Sequence, residues 1–173
     1  MTALATDFIL YATQKLDENR RQIARCVGLL SDDELWQRAN VHCNAVGNLV
    51  LHLTGNIRQW ILGGVGGEPV TRDRPAEFSA RGPCAAAEFM PQFDGVLRRA
   101  ADVIGALGAS DLARPRSIQG YSVSTLVAVF HVVEHLSFHT GQVVQITKEL
   151  KNVDLSLFDP HGRKLDGGGA SPA

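Results

Sequence analysis

Residues 131–148 read HVVEHLSFHTGQVVQITK, and this stretch decides how the rest of the sequence is interpreted. Three histidines, His131, His135 and His139, recur in it every four residues. Because an α-helix has about 3.6 residues per turn, this spacing places the three imidazoles on one face of a helix. Buried imidazoles need partners, and a metal ion can satisfy several of them at once. The stretch therefore predicts a helix with a candidate metal-binding face.

A further histidine, His52, lies in a second predicted helix, which contains NLVLHLTGNIRQW at residues 48–60. Asn48, Asn56 and Gln59 lie near the same face of that helix as His52. Facing helices of a bundle often build one site between them, and the two stretches favour such a site. For His52 alone, a hydrogen-bonded core histidine is the commoner explanation.

The composition indicates one globular domain. The chain has 173 residues, of which 45% are hydrophobic and 20% charged, and its net charge is -1. These values are ordinary for a soluble protein, and the absence of a long basic stripe gives no support to nucleic-acid binding. The N-terminus lacks the basic start of a signal peptide, and no apolar run approaches the roughly 20 residues that span a bilayer. Three cysteines without a CxxC motif fit a reducing compartment, so we expect a cytoplasmic protein without a membrane partner.

The apolar periodicity predicts four long helices and no convincing strand. These helices span residues 4–30, 45–62, 85–107 and 122–150, the last with Ser122 or Ser124 as its cap. Ser31 and Glu34 form a capping-box motif, which predicts one extra short helix. The predicted fold is therefore an all-α four-helix bundle in one domain, residues 1–155, followed by an irregular tail, residues 156–173.

Residues 68–83 have no apolar periodicity and are predicted to form a loop. Arg72, Asp73, Arg74 and Glu77 make this segment densely charged. Long loops in compact domains often have a function. Two functions remain open for this one: it closes over a pocket and binds an anionic substrate, or it braces a dimer.

Three segments of the sequence resemble the DinB-like and YfiT-like superfamily of metal-dependent four-helix-bundle enzymes. They are LHLTGNIRQWILGGVGG at residues 51–67, RDRPAEF at residues 72–78, and the histidine stretch at residues 131–148. The resemblance covers residues 4–150. It implies an up-down-down-up bundle, a homodimer, and one divalent metal ion per chain bound by His52, His135 and His139.

The resemblance places His131 where the family usually has no ligand, so this residue is expected to support the site or to orient a water. Other polar side chains are candidates to hold a ligand imidazole by its second nitrogen, although ordinary polar packing is the commoner role for each of them. These candidates are Asn48, Asn56, Gln59 and Gln142. The expected metal is zinc or nickel, with iron or manganese as alternatives, because imidazole suits several ions.

Three neutral ligands leave coordination positions open, which is the pattern of a catalytic rather than a structural site. A divalent ion can lower the pKa of a bound water or thiol. Some relatives activate a low-molecular-weight thiol, so we expect transfer of such a thiol to a small electrophile. The alternatives are a metal-dependent hydrolase, a non-catalytic stress-response binding module, and a protein in which the histidines are ordinary core groups.

Overall fold

The computed structural model describes residues 3–161, and helices account for most of them. The helices are α1 (Ala3–Leu29), α2 (Asp32–Trp36), α3 (Val46–Ile57), α4 (Arg74–Ser79), α5 (Ala86–Gly105), α6 (Ala109–Leu112) and α7 (Thr125–Lys151). A π-helical segment, Arg58–Val65, continues α3 without a break. Two short strands, β1 (Pro115–Ile118) and β2 (Tyr121–Ser124), pair as an antiparallel hairpin.

The four long helices α1, α3, α5 and α7 form the bundle. Helix α1 packs against α5 and α7, and α3 packs against the same two helices. Each helix buries its apolar face in a shared core, as the 3.6-residue periodicity requires. The largest fully buried side chains include Leu16, Ile23, Leu53, Ile57, Phe93, Leu97, Ile104 and Leu136. The predicted all-α four-helix bundle with an extra short helix is confirmed.

Helix starts follow the sequence signals closely. The Ser31 hydroxyl accepts a hydrogen bond from the Glu34 amide at 3.3 Å, and the Glu34 carboxylate accepts one from the Ser31 amide at 2.8 Å. This capping box opens α2 as predicted. Ser124, rather than Ser122, caps α7, because its hydroxyl accepts a hydrogen bond from the amide of Val127 at 3.3 Å.

The structure contains, within its described residues, three short elements that the sequence did not predict, and one of them is the four-residue helix α6. Residues 68–83 were predicted as a loop throughout, but they contain α4, which Asp73 caps by accepting a hydrogen bond from the Ala76 amide at 3.1 Å. Residues 115–124 form the β-hairpin where no strand was predicted. All three elements are too short to show periodicity. The hairpin instead depends on its turn, where Gln119 and Gly120 have φ angles of 53° and 82°.

The described segment that follows α7 is irregular. After α7, the described residues 152–161 contain no helix, and Leu155 is the buried anchor of this segment. Of the predicted irregular tail, residues 162–173 lie outside the described residues, so the domain boundary at residue 155 stays a prediction. Among residues 3–161, no helix combines the length and apolar character that a bilayer crossing requires.

Candidate metal centre

Helices α3 and α7 run antiparallel, and they place His52 directly opposite His135. The Nε2 atoms of these two rings are 2.9 Å apart. His139, one turn further along α7, has its ring centroid 5.2 Å from that of His52 and 4.5 Å from that of His135. The three rings are close to mutually perpendicular, with interplanar angles of 74°, 84° and 88°. They therefore converge from two helices on a common point.

The spacing of the three rings suits a single ion. One nitrogen from each of His52, His135 and His139 lies within 4.8 Å of the others. Because zinc–imidazole bonds are about 2.0–2.1 Å long, two nitrogens on one ion lie about 3.0–3.4 Å apart. The His52–His135 separation is close to that range. No other set of three histidine, cysteine, aspartate or glutamate side chains gathers in this way within residues 3–161.

All three imidazoles are held in the neutral form. Burial, followed by the neighbouring rings of His139 and His52, lowers the pKa of His135 to about 3. Burial also lowers the pKa of His52 and of His139, although hydrogen bonds to Glu77 and Gln142 oppose the effect. Near neutral pH each ring is therefore deprotonated, which is the state that binds a metal ion.

A buried ion pair holds the outer nitrogen of His52. Oε2 of Glu77 lies 2.9 Å from Nδ1 of His52. The Arg72 guanidinium donates to both carboxylate oxygens, at 2.7 and 2.8 Å, and to Oε1 of Gln59 at 2.8 Å. A carboxylate paired with an arginine only accepts hydrogen bonds, so Nδ1 of His52 bears the proton. Its Nε2 lone pair then points to the shared centre.

Gln142 performs the same task for His139. Its Oε1 lies 2.6 Å from Nδ1 of His139, one helical turn away on α7. A side-chain carbonyl oxygen accepts a hydrogen bond, so Nδ1 of His139 is the protonated nitrogen and Nε2 is free for a metal ion. Gln142 was one of the candidates that the sequence analysis named for this role.

Asn48 and Asn56 do not hold the ligand rings. Asn48 donates to the backbone carbonyls of Glu77 and Ala80, at 2.9 and 3.1 Å, and thereby fastens α4 to α3. The Nδ2 atom of Asn56 lies 3.5 Å from Nε2 of His131. Its Oδ1 is buried and has no hydrogen-bond partner among the described residues. Asn48 thus acts on the site through the position of Glu77.

His131 lies next to the three converging rings rather than among them. Its ring stacks beside that of His135, with centroids 5.4 Å apart and an interplanar angle of 21°. It also contacts the indole of Trp60, with centroids 4.2 Å apart. Burial lowers the pKa of His131, so this ring is neutral as well.

The charged segment that was predicted to cover a pocket or brace a dimer is divided between two environments. Arg72 and Glu77 turn inward and are almost fully buried against His52. Asp73 caps α4, and Arg74 remains exposed with its guanidinium 4.9 Å from the ring centroid of Phe78. The sequence contained one overlooked signal: an aspartate followed by a proline two residues later marks a helix start, which turns Glu77 to the inside.

A cavity of about 400 Å³ adjoins the centre and reaches His52 and His135. Trp60, Tyr121 and Val127 form its apolar side, while Arg74 and Gln119 are exposed members of its lining. The hairpin supplies Gln119 and Tyr121, so the element that the sequence did not predict builds part of the cavity. Small-molecule sites have this combination of apolar walls and a few polar groups.

Comparisons with known proteins agree with this fold. Residues 3–161 match the family described as "Protein of unknown function (DUF1572)". No curated protein matches the sequence. A DinB-like protein from Bacillus cereus is similar in structure, with a TM-score of 0.65 and 15% sequence identity over 83% of this chain and 91% of that one.

Two further solved structures are similar. A conserved protein from Enterococcus faecalis has a TM-score of 0.68 and 10% identity over 83% of this chain and 96% of that one. The DinB-like protein YjoA from Bacillus subtilis has a TM-score of 0.65 and 12% identity over 90% of this chain and 99% of that one. Identities this low establish a shared fold and do not extend to activity. The chain therefore belongs to the DUF1572 family, and its fold is that of the DinB-like proteins.

Proposed function

We propose that this protein is a divalent-metal-dependent enzyme whose metal ion is bound by His52, His135 and His139. The observation that supports this most directly is the convergence of three neutral imidazoles from α3 and α7 beside a cavity. A donor set of three imidazole nitrogens suits zinc or nickel best, with iron or manganese as alternatives.

The surroundings favour a catalytic rather than a structural ion. Three protein ligands leave coordination positions open, and the cavity next to His52 and His135 offers space for a substrate there. A divalent ion in this position would supply a Lewis acid that lowers the pKa of a bound thiol or water. Glu77 and Gln142 orient two of the ligand rings, and Trp60, Tyr121 and Val127 provide an apolar wall against which a substrate can pack.

The reaction that we propose is transfer of a low-molecular-weight thiol to a small electrophile. The thiol gives its proton to water, its sulfur bonds to the electrophilic carbon, and the leaving group departs with the electron pair of the broken bond. No carboxylate is among the described side chains that line the cavity, and Glu77 is already engaged by Arg72 and His52. The described lining of the cavity therefore offers no carboxylate as a general base. A thiol whose pKa a metal ion lowers would need no general base, whereas attack by water usually needs one.

Hydrolysis is the second candidate, and His131 is the residue that favours it. Its neutral ring lines the cavity beside His135. It could therefore serve as the general base that attack by water needs. Turnover of thiol and electrophile pairs supports the transferase, and turnover of esters or amides without a thiol supports the hydrolase. A non-catalytic binding module would give turnover with neither panel.

Metal analysis by mass spectrometry tests the metal centre itself. We expect protein prepared without a His tag to contain about one divalent ion per chain, since a single site is formed. His52→Ala should lose this ion, and His42→Ala, which changes an exposed loop histidine, should retain it. Full occupancy of the metal site in His52→Ala would contradict the proposed ligands.

Removal of the ion with a chelator should also lower the melting temperature of the protein, because the ion binds only the folded chain.

A further inference from the structure

The cavity beside the metal centre has an unbalanced charge. No acidic side chain is among the described residues of its lining, the histidines there are neutral, and Arg72 is paired with Glu77. Arg74 is therefore the source of the uncompensated positive charge. A divalent ion bound by the histidines would add further positive charge. A concave surface with this charge distribution attracts anions.

Only one of the two arginines is free to bind a ligand. Arg72 is almost fully buried, and its Nε, Nη1 and Nη2 atoms donate to Glu77 and Gln59. Arg74 is exposed, and its guanidinium lies over the ring of Phe78 without an ion pair or hydrogen bond to any described residue. Stacking on an aromatic ring leaves the N–H groups at the edge of the guanidinium available for a planar anion.

Gln119 presents a second donor to the same cavity. The indole N–H of Trp60 is 3.1 Å from Oε1 of Gln119. Because an indole nitrogen can only donate, this contact determines the orientation of the amide and leaves Nε2 of Gln119 as an unused donor. The hairpin turn holds Gln119 with a φ of 53°, so the backbone also restricts its position.

We propose that Arg74, assisted by Nε2 of Gln119, binds a carboxylate group of the substrate, so that the enzyme acts on small carboxylate-bearing molecules. This inference rests on the proposed metal-dependent function and specifies the substrate class of that site. A carboxylate matches a single free guanidinium because its two oxygens accept two parallel N–H bonds. The cavity volume of about 400 Å³ restricts the ligand to a small molecule.

Two isosteric thiols test this proposal on cobalt-loaded protein. The probes are 3-mercaptopropanoate and 3-mercaptopropanamide, which differ only in whether the group at the far end is a carboxylate or a neutral amide. Binding is followed by the thiolate-to-cobalt absorption band, so no turnover is required. We expect the carboxylate probe to bind about tenfold more tightly than the amide, as a charge-assisted hydrogen bond provides.

Arg74→Met is the informative variant, because methionine keeps an apolar side chain over Phe78 and removes the guanidinium. Arg98→Met is the matched control: it changes the net charge equally at an exposed position on α5. The preference for the carboxylate should disappear in Arg74→Met and persist in Arg98→Met. Added salt should weaken it in the wild-type protein, because exposed charges are screened.

Each result has one meaning. Equal binding of both probes by the wild-type protein overturns the inference without reference to any variant. A preference that survives in Arg74→Met also overturns it, because the field of the metal ion then accounts for the selectivity. In both cases the metal-dependent function stands. If the wild-type protein takes up no cobalt, the proposed function fails, and the substrate assignment fails with it.

Discussion

At the residue scale, the properties of the candidate metal centre depend on a few buried contacts. His52, His135 and His139 provide the nitrogens, but Glu77 determines which nitrogen of His52 is protonated. Arg72 in turn balances the charge of Glu77, and both are almost completely buried. Burying a carboxylate alone would cost several kcal/mol, so the pair is needed for the carboxylate to remain charged beside His52.

Glu77→Gln is expected to lower the affinity for the metal ion about 10- to 100-fold, which is the usual effect of removing a carboxylate behind a ligand histidine. The glutamine keeps the shape of the side chain but leaves Arg72 without its counter-charge. Competition with a chromogenic chelator measures the affinity, and circular dichroism checks the fold.

Glu134→Gln is the control, since Glu134 is next to His135 in sequence but exposed. The control should bind metal like the wild-type protein. An unchanged affinity in Glu77→Gln would show that the carboxylate does not support His52.

At the scale of the secondary-structure elements, α4 acts on the centre by its close approach to α3. Gly55 makes this approach possible. A Cβ atom on Gly55 would lie 2.0 Å from Oε1 of Glu77 and 2.9 Å from Nε of Arg72. Helix α3 therefore presents bare backbone where the ion pair lies, and the two amide hydrogen bonds of Asn48 hold α4 in that position.

Gly55→Ala should displace the Arg72–Glu77 pair and lower both the metal affinity and the melting temperature. In Gly95→Ala, on α5, the added methyl group meets nothing within 4 Å. This control should instead stabilise the protein by about 0.5–1 kcal/mol, the gain expected for replacing glycine in a helix. Urea unfolding and the chelator competition measure the two effects. If Gly55→Ala is as stable as Gly95→Ala and binds metal normally, the close approach of α4 to α3 does not contribute to the metal centre.

At the scale of the whole molecule, the bundle exposes large apolar side chains on two of its long helices. Leu10 and Tyr11 on α1 and Phe130 and Phe138 on α7 are all largely exposed. Apolar groups of this size on a surface often mark a contact with another chain. The homodimer that the family resemblance implies stays a prediction, and these side chains are where we expect its interface.

Sedimentation at micromolar concentration tests the dimer. We expect the wild-type protein to sediment as a dimer and Phe130→Glu to sediment as a monomer, because an interface does not tolerate a charge without a partner. Phe158→Glu changes a phenylalanine with nearly the same exposure, 58% against 59%, outside α1 and α7. It should remain dimeric. A wild-type protein that sediments as a monomer would contradict the predicted homodimer.

Much of this protein was determined by its sequence alone, because the relevant signals are local. The apolar periodicity, the cap at Ser31 and a cap at Ser122 or Ser124 predicted the four long helices and α2. The four-residue spacing in α7 aligned His135 with His139 before any tertiary contact was known. Gln142 was within reach of His139 for the same reason.

The tertiary structure alone decided how the segments combine. It brought Glu77 to Nδ1 of His52 from 25 positions away and paired Arg72 with Glu77, so that Arg74 is the arginine of the described cavity lining without an ion pair. It also added to that lining a hairpin that had no periodic signal. The contact between Glu77 and His52 joins segments that are distant in the chain, and it depends on how α4 packs on α3. A local pattern can mark where α4 begins, but it does not show which side chain of α3 Glu77 meets, because contacts between elements are determined only when the core that positions those elements has formed.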